Sequence, residues 1–230
     1  MQYLGGKSRI SNDISKIINQ YSADKIFVSL FCGTCAIEAK IIAKEKFCND
    51  SQEYLIKLFD AVQSGYELPD IVTKDDYNYC KSHKDENKVL TGFIGFGCSF
   101  GGKWFGGYAK NNSGTNYAKQ SKNSLIKKME GLKNVKFLNL DYRIVKIPDG
   151  SIVYCDPPYK GTTRYSNSNN FDHDEFWEYM RLISKNNNVF ISEINAPDDF
   201  ISIWEKPFKR VLDVNKDNIF NSIEKLFVMK

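Results

Sequence analysis

The chain has 230 residues, 42% hydrophobic and 26% charged, with six prolines and fifteen glycines. It is long enough to bury a core and short for two full domains, which excludes collagen-like, disordered and disulfide-stapled chains. A formal net charge of +4, from 32 Lys and Arg against 28 Asp and Glu, neither demands nor forbids a polyanionic partner.

No stretch reaches the ~18 uninterrupted apolar residues of a membrane helix, and Met1-Gln2-Tyr3-Leu4-Gly5-Gly6-Lys7 lacks the apolar core of a signal peptide. The expectation is a cytoplasmic protein with no membrane partner. Six cysteines (Cys32, Cys35, Cys48, Cys80, Cys98, Cys155) are too sparse for a secreted scaffold and fit a reducing compartment. Cys32-Gly33-Thr34-Cys35 has the spacing of a redox dithiol or half a zinc site, but no second pair completes it and His83 and His173 are isolated. Two small fillers of a tight strand-to-helix turn are the preferred reading, and no metal is expected.

Ile10, Ile14, Ile17, Ile18 and Tyr21 recur at helical spacing after Ser11-Asn12, which can cap, so the first helix is expected at about 12–21. An apolar run at 25–31 reads as a buried strand broken by Gly33, and Ala36, Ile37, Ala39, Ile41, Ile42 and Ala43 read as a helix packed on a sheet. A second strand follows at Phe47-Cys48 and ends at Asn49-Asp50. Strand, turn, helix and strand in that order make a βαβ unit. A helix is expected at about 52–64. Strand patterns resume at 135–140, 151–155, 188–192, 208–214 and 225–229, with a helix at about 173–186.

Residues 66–124 interrupt this alternation and read as an insertion. Between positions 92 and 108, seven glycines interleave with Phe93, Phe96, Phe100, Trp104, Phe105 and Tyr108, too irregular for an amphipathic helix and too aromatic for a linker. Over 97–140 there are eight lysines and one acid, a net +7 against −3 for the remainder. Lysines that release counterions from phosphate, beside aromatics that stack on or wedge between bases, suit a nucleic-acid face. The alternative is a solvated helical face at 119–136 beside a Gly-rich turn packed on its own aromatics.

Asp156-Pro157-Pro158-Tyr159 follows a buried strand, at the sheet edge where α/β proteins place active sites. An exocyclic amine on a nucleobase is a poor nucleophile because its lone pair is delocalised into the ring. A carboxylate (Asp156) and a backbone carbonyl (Pro157, left unpaired because Pro158 has no N–H) can accept its two hydrogens and draw the nitrogen towards a tetrahedral geometry. Tyr159 offers a face on which an extruded base can stack. A methyl-donor site is suggested by Gly33, which lets a ligand approach the backbone, and by Asp50 and Asp141, which follow successive strands and could accept from ribose hydroxyls and an adenine amino group.

Nearly the whole chain resembles S-adenosylmethionine-dependent DNA adenine-N6 methyltransferases of the Dam type, especially their phage members. Tyr3-Leu4-Gly5-Gly6-Lys7 is similar to the family's aromatic-x-Gly-Gly-Lys cofactor motif, which implies Tyr3, Gly6 and Lys7 at the methionine end of the cofactor. Phe31-Cys32-Gly33 matches Phe-x-Gly. Asp50 falls at the ribose-binding acid, Asp141-Tyr142 where the cofactor's adenine is read, and Asp156-Pro157-Pro158-Tyr159 on the catalytic motif. Three departures stand out. Cys35 replaces the second glycine of Phe-x-Gly-x-Gly, Ser29-Leu30 replaces the Glu-Pro that often precedes the phenylalanine, and Asp50-Ser51-Gln52 stands where Asp-x-Asn is common.

The resemblance implies an α/β fold with a Rossmann-like class I methyltransferase sheet. Residues 1–65 and 125–230 would bind cofactor and catalyse, and 66–124 would form an inserted target-recognition module. It also implies methyl transfer to adenine N6 in double-stranded DNA, on a flipped base and by direct in-line displacement. DNA contacts are expected from Lys103, Trp104, Tyr108, Lys119, Lys122, Lys127 and Lys128, and from Tyr165 in the polar loop 160–170, a lid or phosphate contact. The enzyme is expected to act as a monomer in a bacterial or phage-infected cell, in keeping with 27 lysines against five arginines. No motif specifies a partner restriction endonuclease. N4-cytosine methylation and a non-catalytic nucleic-acid binder are the alternatives.

Overall fold

The computed structural model describes residues 1, 6–159, 171–211 and 219–230, those at 208–211 and 219–222 by backbone alone. Tyr3, Tyr165 and the loop 160–170 lie outside the described residues.

Seven strands form one mixed sheet in the order β3-β2-β1-β4-β5-β7-β6. These are β1 (Ile26–Ser29), β2 (Glu45–Asn49), β3 (Lys136–Leu138), β4 (Ile152–Cys155), β5 (Asn188–Glu193), β6 (Phe200–Val211) and β7 (Ile219–Met229). The first five pair in parallel, with Val28 opposite both Phe47 and Val153, and β7 runs antiparallel between β5 and β6. This is the Rossmann-like arrangement expected. The chain order reverses between β1 and β4, which opens a crevice beyond their carboxyl ends.

Side-chain alternation explains why the central strands read as unbroken apolar runs: both faces are covered. Phe27, Ile152, Tyr154 and Phe190 pack against Ile14 and Ile18 of helix α1 (Ser11–Ser22) and against Ile10 just before it. Val28, Val153, Cys155, Val189 and Ile191 meet Phe176, Trp177 and Met180 of helix α6 (His173–Ser184). A third cluster joins Leu55, Leu58 and Phe59 of α2 (Glu53–Gln63) to Phe93 and Phe96 of α4 (Lys88–Gly97) and Leu125 of α5 (Tyr117–Met129). Helix α3 (Lys74–Ser82) adds Tyr77 and Cys80 to it, under a Thr73–Asp76 capping box. No helix among the described residues is long and apolar enough to cross a membrane.

Four local expectations are corrected. The helix expected over 36–43 is a single 3-10 turn, Glu38–Lys40. Glu38 turns inward to accept from Ser29 Oγ at 2.8 Å, and Lys46 Nζ takes the carbonyls of Glu38 and Ile41 that a longer helix would have used. Helix α1 is not capped by Ser11 or Asn12; Ile10 is its N-cap, and the Asn12 side chain accepts from Lys40 Nζ instead. The glycine-rich segment, expected to be irregular, begins as the regular helix α4, buried on every side from Thr91 to Gly97. Its glycines are contact faces: a Cβ on Gly92 would fall 2.2 Å from the Tyr54 carbonyl oxygen, and one on Gly95 would fall 2.4 Å from the Trp104 ring. Strand β6 starts at Phe200 rather than 208, with a bulge between Ser202 and Trp204. Helix α5 continues without interruption past residue 124.

Candidate active site

The crevice between β1 and β4 is built from strand ends that fasten one another. Cys32 N donates to Asn49 O at 2.8 Å. The Asn49 amide donates to the carbonyls of Leu30 and Leu140, and its oxygen accepts from Leu140 N, so one buried side chain ties the ends of β1, β2 and β3. In the turn 31–35 two residues take left-handed backbone, Gly33 at φ +47° and Cys35 at φ +54°. Cys35 thus adopts at the second motif position the conformation glycine takes most readily. Gly33 N donates to Asp50 Oδ2 and Gln52 N to Asp50 Oδ1, both at 2.8 Å. Burial raises the Asp50 pKa, and these two backbone donors work against the rise.

A small cavity opens against this turn. Gly6, Lys7, Phe31, Cys32, Gly33 and Asp156, all expected in the site, line it together with Thr34, Glu38 and Tyr154. Phe31 rests on a stack of rings, 5.1 Å from Tyr142 and 5.9 Å from each of Phe171 and Phe176. The donor set fits a nucleoside carrying an amino-acid tail: a glycine turn for close approach, an aromatic wall and carboxylates at the rim.

Asp156 follows β4 directly. Lys7 Nζ reaches its Oδ1 at 3.0 Å and stands 4.3 Å from the centroid of the Tyr159 ring, so the carboxylate already receives a nitrogen donor above an aromatic face. Burial raises the Asp156 pKa to about 6, against the pull of Lys7. Tyr159 is buried, as is Pro157. Its hydroxyl donates to Glu224 Oε2 at 2.7 Å, and burial pushes its pKa well up. Glu193, at the end of β5, is 5% exposed, and burial raises its pKa to about 7. Glu38 is 2% exposed and also raised by burial.

Asp141 caps the short 3-10 turn Tyr142–Ile144, accepting from Arg143 N at 2.9 Å and Nε at 2.8 Å. The Arg143 hydrogen bonds hold its pKa down, and Arg143 also bridges to Glu175. The carboxylate is therefore occupied by Arg143, although its oxygens retain lone pairs that could accept from a ligand.

The expected DNA-facing residues divide. Lys103, Lys119 and Lys127 are exposed. Lys122 is half-buried and lies 2.7 Å from Asp70, with Lys119 at 3.9 Å. Lys128 points inward, donating to Thr34 O at 2.5 Å behind the turn 31–35, and burial lowers its pKa. Trp104 packs between Tyr54, Phe96 and Phe105, and Tyr108 OH donates to Val72 O. These two aromatics serve the packing of the segment. Phe100, beside Lys103 on a turn with Gly101 at φ +61° and Gly102 at φ +68°, is instead 70% exposed.

Glu38, Glu193 and Glu224 join the site without any motif to mark them. The one signal for them is an acid at the margin of an apolar run, as in Ile191-Ser192-Glu193 and Ile223-Glu224-Lys225-Leu226.

The chain aligns over most of its length with solved structures at low identity. These include a candidate RNA methyltransferase from Pyrococcus horikoshii (11% identity, 98% of this chain and 84% of that one, TM-score 0.45). Others are a tRNA (m1A58) methyltransferase from Aquifex aeolicus (10%, 97% and 69%, TM-score 0.41) and an rRNA methylase from Streptococcus thermophilus (7%, 95% and 94%, TM-score 0.42). The model of the D12 class N6 adenine-specific DNA methyltransferases matches residues 3–94 and 102–192, from the N-terminal motif through Asp156-Pro157-Pro158-Tyr159 to β5. That match spans most of the chain, which therefore belongs to the D12 class N6 adenine-specific DNA methyltransferases.

Proposed function

We propose that this enzyme takes its methyl group from S-adenosylmethionine and delivers it to N6 of an adenine flipped out of duplex DNA. The observation that carries this reading is the convergence of the turn 31–35, Lys7 and Asp156 on one cavity at the reversal point of the sheet. Bound there, the cofactor supplies an electrophilic methyl on a cationic sulfur, open to in-line displacement.

The chain's own residues divide the remaining work. Tyr3, Gly6 and Lys7 hold the amino-acid end; Phe31, Cys32 and Gly33 line the wall; Asp50 takes the ribose; Asp141 and Tyr142 take the adenine. Asp156 and the Pro157 carbonyl accept the hydrogens of the target amine, which localises the lone pair on nitrogen, and Tyr159 stacks on the base. The geometry of Lys7 over Tyr159 and against Asp156 supports this, because an amine would offer the same carboxylate the same kind of donor. Residues 66–124 form the recognition module, with its Lys103 and Lys119, and Lys127 just beyond it, against phosphate and the exposed Phe100 beside Lys103.

Asp156→Ala tests the mechanism. It should bind S-adenosylmethionine as the wild type does and lose tritiated-methyl transfer; full transfer would remove Asp156 from the chemistry. Nuclease digestion and mass spectrometry of methylated duplex DNA should find N6-methyladenine.

A further inference from the structure

Strand β7 enters the sheet beside β5 with Lys225 opposite Glu193, which brings the neighbouring Glu224 to the catalytic turn. Glu224 is 5% exposed. It accepts from Tyr159 OH at 2.7 Å and lies 3.6 Å from Lys7 Nζ, the same ammonium that meets Asp156. A buried carboxylate is costly unless it is paired and hydrogen-bonded, and here both partners belong to the catalytic neighbourhood.

A tyrosine ring swings about two single bonds unless its far end is held. Tyr159 leaves β4 by a Pro-Pro turn, and its phenol end is anchored on a different strand, two places along the sheet. Resting on the reading of Tyr159 as the stacking face, we infer that Glu224 is a positioning residue for methyl transfer. It orients the Tyr159 ring through the phenol oxygen and shares Lys7 with Asp156. Glu224 itself need touch neither cofactor nor base; it acts through Tyr159 and Lys7.

Its charge is also felt at Asp156. That carboxylate faces Lys7 of the N-terminal segment, Tyr159 of its own turn, Tyr154 of β4, Glu193 of β5, Glu224 of β7 and Glu38 of the 3-10 turn. Glu224 is one of the groups that raise the Asp156 pKa. Replacing it by a neutral side chain should move the acid limb of turnover to lower pH, an effect that a purely structural residue would not produce.

The test is tritiated-methyl transfer to duplex DNA by the full chain carrying Glu224→Ala, Glu224→Gln, Tyr159→Phe or Tyr159→Phe with Glu224→Ala, with thermal melting to confirm folding. Glu224→Ala should lower kcat about tenfold, the scale of coupling between residues in contact, and leave the cofactor KM within about twofold. In the Tyr159→Phe background it should add clearly less than it does alone, because only the contact with Lys7 is left for it to act through. Glu224→Gln keeps an acceptor for Tyr159, so it should restore most of kcat while its acid limb moves down in pH. Wild-type kcat in Glu224→Ala, or a full additional loss in the Phe background, would overturn the assignment. Wild-type transfer to adenine, measured in parallel, tests the underlying reading, so a loss confined to the variants concerns Glu224 alone.

Discussion

The Gly33 amide donates to Asp50 Oδ2 at 2.8 Å, so the turn after β1 and the acid after β2, 17 residues apart, hold one another. Asp50→Ala would leave the N–H groups of Gly33 and Gln52 without their acceptor. The loss should cost about 2 kcal/mol in urea denaturation, the usual penalty for orphaned donors. Calorimetry should show weaker S-adenosylmethionine binding in the same variant, and an unchanged affinity would take Asp50 out of the cofactor site.

Turnover should fall on the acid side of neutrality. With the Asp156 pKa raised to about 6 by burial, the carboxylate is protonated below that pH and can no longer accept an amine hydrogen through both oxygens. A plot of kcat at saturating cofactor and DNA should bend near pH 6. Lys7→Met removes the cation that holds this pKa down, so the bend should move to higher pH. A profile flat from pH 5 to 8 would count against an ionised Asp156 in the reaction.

Glu193 makes folding itself pH-dependent. Burial raises its pKa from an ordinary value near 4.5 to about 7, so its neutral form is the one the fold favours. The contribution is fully present below the unfolded pKa and is lost as pH rises through the folded one. Glu193→Gln, neutral throughout, should stabilise the protein at pH 8 by up to about 3 kcal/mol. The two proteins should converge near pH 4, as denaturant melts at both pH values would show.

Lys127 and Lys128 are neighbours in sequence, yet their substitutions should act on different processes. Lys128→Met removes the donor to Thr34 O and should weaken cofactor binding while leaving the salt dependence of DNA binding unchanged. Neutralising the exposed Lys103, Lys119 and Lys127 should lower the slope of log affinity against log salt by about 0.9 for each phosphate that no longer meets a lysine. Fluorescence anisotropy with duplex DNA measures the salt slopes, and calorimetry with S-adenosylmethionine measures the cofactor affinity.

The legible parts of the fold are those where one residue type dictates one geometry. The apolar runs of β1 and β4 announce strands buried on both faces, and Asp156-Pro157-Pro158-Tyr159 stands out directly after the second of them. Helix α4 is hidden because glycines that make contact faces in a buried helix look, in sequence, like breaks in a periodic pattern. The helix expected at 36–43 fails for a tertiary reason, since Glu38 and Lys46 are drawn into the interior and end the turn after three residues. Lys128 looks in sequence like its outward neighbours, although adjacent residues on a helix diverge by about 100°. Glu224 gains its place only because β7 runs back antiparallel beside β5, a pairing that no local pattern encodes.

The third hydrophobic cluster draws Leu55, Leu58 and Phe59 of α2 together with Phe93 and Phe96 of α4 and Leu125 of α5 into one interior. The segment proposed to read DNA therefore could not be exchanged as a cassette. A graft ending at 66 and 124 would strip the lid from α2 and cut α5 in half. On that proposal, new target sites would arise by changing side chains on its outer surface, such as Phe100 and Lys103, while Gly92, Gly95, Phe93 and Phe96 stay fixed. Heat or denaturant should likewise melt recognition and cofactor binding in a single transition, so drift in the buried face of the reader would be felt first as lost methyl transfer.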